Sequence, residues 1–100
     1  MTELDKLEQY LRENHYEYKR IDQDEVITED GYTDKLMRHQ LIVCVGDVVL
    51  WDAICQKGSY GYEQGLLEVM GEAVVLPCDG DSVAGFLTAQ DVIDRLERRL

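Results

Sequence analysis

The chain has 100 residues, 45% of them apolar, with 21 acidic against 10 basic side chains and a formal charge of −11. That length suits a single domain over residues 1–100 with one small core, and the apolar content is too high for a disordered tail. The acid excess argues against nucleic acid and anionic membranes as partners, because both are bound through Lys and Arg.

The cysteines, Cys44, Cys55 and Cys78, are odd in number and widely spaced, without a CxxC or CxxH pair. Neither a disulfide framework nor a structural zinc site follows from them, and no metal or cofactor is expected. The longest apolar runs, Leu41–Val45 and Val48–Trp51, are too short to span a bilayer. The start of the chain is acidic and unlike a targeting peptide, so a cytoplasmic setting is expected.

Thr2 with Asp5 three residues on forms a capping box for a first helix. Leu4, Leu7 and Leu11 make its apolar stripe, and Asn14 is a plausible stop. Tyr16, Tyr18 and Ile21 suggest a strand. From Asp22 to Asp34 runs the most acidic segment, with Glu29–Asp30–Gly31 as a turn signal. We read it as a long, solvated hairpin connection, because its spacing is not that of a calcium loop.

Gln40–Val45 and Val48–Ile54 flank Gly46–Asp47, a two-residue connection of the type II′ hairpin kind. Both strands are apolar on both faces near the turn. That predicts a central place in a sheet, or helices over one face and a partner over the other. Gln56–Gly65 reads as a glycine-punctuated loop. Tyr62 or Glu63 then opens a predicted helix through Leu66, Leu67, Val69 and Met70, ended by Gly71. Ala73–Leu76 is a candidate edge strand stopped by Pro77, and residues 78–82 a turn. Thr88 with Asp91 makes a second capping box, and Leu87 and Val92 a hydrophobic staple. The stripe of that last helix is Val92, Ile93, Leu96 and Leu100. The expected architecture is α+β: an antiparallel sheet of three to four strands against two to three helices, in the order α-β-β-β-α-(β)-α. Double-stranded RNA-binding domains share part of that order, but their basic helix and loop are missing here.

Two stretches are candidate sites. Asp22, Asp24, Glu25, Glu29 and Asp30 form an acidic surface suited to a protein partner. Gly58, Ser59, Tyr60, Gly61 and Tyr62 precede the expected helix, where backbone N–H groups can cradle a phosphate. That loop is neither a GxGxxG nor a P-loop, and Glu63 would repel an anion. His39 and Cys55 sit opposite each other at the open end of the hairpin, but no Asn or Asp orienter and no signature supports a Cys–His nucleophile. No catalytic residues are assigned.

The segments Gly58-Ser59-Tyr60-Gly61, Gly65-Leu66-Leu67-Glu68 and Leu87-Thr88-Ala89-Gln90-Asp91-Val92 carry a resemblance. They are similar to short uncharacterised proteins of Firmicutes, often encoded in prophage or other mobile-element regions. The resemblance implies a bacterial cytosolic setting and a small accessory role, and it brings no activity, cofactor or site residue. The leading expectation is an acidic, non-enzymatic domain whose partner is another protein. The alternatives are a small-ligand or nucleotide-binding domain using the Gly58–Gly65 loop, and a nucleic-acid mimic that inhibits a host enzyme. A homodimer that buries an exposed sheet face or edge is compatible with each.

Overall fold

The computed structural model, which describes residues 1–23, 26–27, 33–34 and 38–99, begins with the helix that the Thr2 box predicts. Helix α1 spans Glu3–Glu13. The Thr2 hydroxyl accepts from the Asp5 N–H at 3.1 Å, and the Asp5 carboxylate accepts from the Thr2 N–H at 3.0 Å. Helix α2, Ala89–Leu96, is closed by the same box at Thr88 and Asp91. The two N-termini are also joined. Glu3 Oε1 accepts from the Ala89 N–H at 2.8 Å, so a carboxylate of α1 satisfies one of the orphan donors of α2.

Among the described residues seven strands lie between the helices: β1 (Tyr18–Gln23), β2 (Val26–Ile27), β3 (Thr33–Asp34), β4 (Arg38–Val45), β5 (Val48–Ile54), β6 (Leu67–Met70) and β7 (Val83–Leu87). Five of them form one sheet of order β1-β4-β5-β6-β7, every neighbouring pair antiparallel, while β2 and β3 pair separately. Alternate residues of the sheet, including Leu41, Val43, Trp51, Ala53, Leu67 and Val69, are buried in one core with Leu4, Leu7, Leu11 and Val92 of the helices. Both helices therefore cover the same face. The other face carries Gln40, Ile42, Asp52, Ile54, Glu68 and Met70. There Gln40 donates to Asp52 at 2.8 Å, and burial pushes the Asp52 carboxyl up.

The α+β class stands, but several elements differ from the reading of the sequence. The main sheet has five strands rather than three or four. The helix expected through Met70 is a single 3-10 turn, Tyr62–Gln64, followed by β6. In five residues a period of two cannot be told from a helical stripe. Here Leu67 and Val69 point into the core and Glu68 and Met70 do not. Gly71 (φ 125°) closes the strand where a Cβ would stand 2.5 Å from that of Trp51, so a close approach explains that glycine rather than a helix end. Ala73–Leu76 is a turn, not an edge strand, and β7 takes the edge. Arg95 holds that turn against α2. Its guanidinium donates to Val74 O at 2.9 Å and bidentately to Asp79 at 2.7 and 3.0 Å. Leu100, expected in the apolar stripe of α2, lies outside the described residues.

Candidate functional site

The expected hairpin is present, with Val45 paired to Val48 across Gly46–Asp47. Its strands are second and third in the sheet, yet they outrun both neighbours. The ladder with β1 ends at Tyr18–Val43, and the ladder with β6 ends at Asp52–Met70. A bulge sets Cys44 opposite Val49 and leaves Leu50 unpaired in the register. The end beyond these ladders exposes Val45, Val48, Val49 and Leu50, each 49–62% accessible. Contiguous apolar side chains in water mark a contact surface far more often than single ones do. The rim is acidic: Asp47 is in the turn, and Glu17 accepts from the Gly46 N–H at 3.1 Å. No Lys or Arg occurs between Arg38 and Lys57.

Of the acidic candidates, Asp24, Glu25, Glu29 and Asp30 lie outside the described residues. Asp22 is turned toward the helix-covered face. It accepts from Arg20 at 3.0 Å and contacts His39 Nδ1 at 2.7 Å, and these bonds, that to His39 foremost, hold its carboxyl below the usual range. Arg20 also donates to Asp5 at 2.8 Å and Glu8 at 3.0 Å, so one guanidinium serves three carboxylates. Backbone and side-chain bonds from Thr2, then that from Arg20, bring Asp5 down to about 2.

The register places Asp22 opposite His39, and the Cys55 N–H donates to His39 O at 2.9 Å. The structure thus supplies the carboxylate beside His39 that sequence spacing did not reveal. Burial pushes the Cys55 thiol up, so it stays protonated at neutral pH, opposite to what a nucleophile needs. The next N–H, that of Gln56, is already donated to Ser59 Oγ at 3.0 Å. Asp22, His39 and Cys55 line a cavity of about 470 Å³ with Leu4, Tyr62 and Glu63. Among the described residues no group of His, Cys, Asp and Glu is placed to hold a metal ion.

The glycine loop spends most of its donors on the chain itself. Ser59 N–H goes to Gln56 O at 2.8 Å, Tyr60 N–H to Glu68 at 3.3 Å and Tyr62 N–H to Ser59 O at 3.2 Å. Little remains there to cradle a phosphate. Instead the loop seats an aromatic pair. Tyr60 and Phe86 stack with ring centroids 6.4 Å apart, and the Phe86 N–H donates to Tyr60 O at 3.2 Å. Phe86, which the sequence did not single out, sits in a β-bulge at φ 58°. The left-handed region costs a bulky L-residue about 1–2 kcal/mol. The rings are nonetheless wet, Tyr60 55% and Phe86 58% exposed.

No helix among the described residues is long and apolar enough to cross a membrane. Comparison with protein-family models, with curated proteins and with solved structures returned no match to this chain.

Proposed function

We propose that this domain is a non-enzymatic interaction module whose partner is another protein, docked through the turn end of the β4–β5 hairpin. The observation that carries this reading is the protrusion of Val45, Val48, Val49 and Leu50 beyond both flanking ladders. The partner is a protein with an apolar cleft rimmed by basic residues. The cleft would bury the four side chains, and the basic rim would meet Asp47 and Glu17. A second copy fits less well, because it would set acidic rims and two charges of −11 against each other.

Affinity capture tests this, with Val48→Ser/Val49→Ser/Leu50→Ser as the control and equal helicity of both proteins checked by circular dichroism. A partner held by the wild type, released by the control and weakened by salt is the expected result. Equal capture by both proteins would count against the hairpin. Sedimentation equilibrium distinguishes the dimer, which the triple variant would dissociate.

The cavity favours a second reading, a small-ligand domain, since about 470 Å³ lies within the usual range of such sites. Glu3, Asp22 and Glu63 outnumber Arg20 on its wall, and Arg20 is already paired with carboxylates, which turns this reading away from nucleotides and toward neutral or cationic ligands. It predicts a thermal shift with a small amine such as tyramine. Glu63→Lys, at an exposed residue of the wall, would abolish that shift.

A further inference from the structure

Along the edge strand β7, Tyr60 and Phe86 form one side of a shallow groove, with Asp79 and Asp81 farther along it toward the start of the strand. We propose that this groove receives the side chain of an arginine from a partner protein, its guanidinium over the aromatic pair and beside the Asp81 carboxylate. The inference is independent of the hairpin and stands whether or not that end docks.

Four observations carry it. The groove holds about 280 Å³, which suits one long side chain and not a folded surface. Its walls combine two exposed ring faces with carboxylates, the pairing a cation over a π-system requires. Asp79 is already bound by Arg95, whereas among the described residues Asp81 accepts only from the adjacent Ser82, so Asp81 is the carboxylate that can take an incoming charge. Finally, the pair is held in place by design of the backbone rather than by burial. A Cβ at Gly85 would stand 2.3 Å from that of Tyr60, and one at Gly61 3.0 Å from the Phe86 Cα. Glycine at both places lets the tyrosine lie against β7. Phe86 itself holds a left-handed conformation that glycine would take without cost, while its ring stays in water. Strain kept for an exposed ring points to recognition. Arginine is preferred to lysine because its planar guanidinium stacks on a ring and pairs with a carboxylate together.

The test is a titration of the full ¹⁵N-labelled chain with N-acetyl-arginine methylamide at millimolar concentration, with the neutral citrulline analogue as control. The expected result is movement of the Tyr60, Gly85 and Phe86 amides with the arginine probe alone. Phe86→Gly removes that movement while leaving the rest of the spectrum folded, and Phe86→Tyr keeps it. Asp81→Asn weakens the probe about threefold to fivefold, the size of one exposed ion pair. Should Phe86→Gly fail to fold, Asp81→Asn decides alone. No movement at these amides, movement spread over the acidic surface and unchanged in Phe86→Gly or Asp81→Asn, or an equal response to citrulline would each overturn the proposal.

Discussion

At its open end the β4–β5 hairpin lies between β1 and β6, beneath both helices. At its turn end it reaches past the ladders with both strands. Both ends carry Val, Ile or Leu, although the open end also sets Gln40 and Asp52 on the uncovered face. Yet Leu41, Val43 and Ala53 are buried, while Val45, Val48 and Val49 are mostly in water. The difference comes from the lengths of the neighbouring strands, β6 being only four residues long. Apolar character therefore serves two purposes in one hairpin. Where neighbours cover it, it supplies the hydrophobic stabilisation of the fold. Where none do, it costs solubility and is explained by what it contacts.

Substitutions that treat the two ends alike should separate them. Leu41→Ala in the covered end is expected to lower stability by about 3 kcal/mol through lost burial and the cavity left behind, read by urea denaturation. Arg95→Ala unfastens the 74–79 turn from α2 and leaves the half-buried Asp79 carboxylate without its bidentate partner. A loss of about 2 kcal/mol is expected in the same assay. Arg20→Gln sharpens the comparison through pH. Asp5, Asp22 and Asp79 all have lowered folded-state values, so their contribution is present above the ordinary carboxylate range near pH 4. It is lost as pH falls through the folded values, that of Asp5 being about 2. Removing Arg20 raises the Asp5 and Asp22 values and should move acid unfolding, followed by circular dichroism, to higher pH. Asp52 acts in the opposite direction, its raised carboxyl favouring the fold at low pH. The smallest effect belongs to the turn end: Val49→Ser should leave stability within about 0.5 kcal/mol while weakening partner capture. A loss as large as that of Leu41→Ala would mean that the turn end is structural.

Both helices and the hairpin were legible in the sequence because their signals are local. A capping box lies within four residues, and a Gly-Asp connection between apolar runs names its own turn. The C-terminal half of the sheet was not. Leu67–Met70 is a strand only because β5 and β7 flank it. In Val83–Leu87, Gly85 and the left-handed Phe86 interrupt the alternation that would have announced a strand. The sites were less legible still. Tyr60 was singled out as part of the glycine loop, but the ring it meets is 26 positions away, and the β6–β7 bulge that brings the two together has no local signal. Asp22 and His39 meet through a strand register that closes over the acidic segment, which spacing alone could not supply.

The bond from Glu3 to the Ala89 N–H bears on how the chain is made. Helix α1 is synthesised before α2, its Glu3 completes the capping of α2, and the two helices share one core. Until α2 emerges, Leu4, Leu7 and Leu11 and the covered face of the sheet lack one wall. The domain should therefore close only once α2 has been made and is free to pack. Released chains ending at Leu87 would stay sensitive to protease, and those that include α2 would resist it.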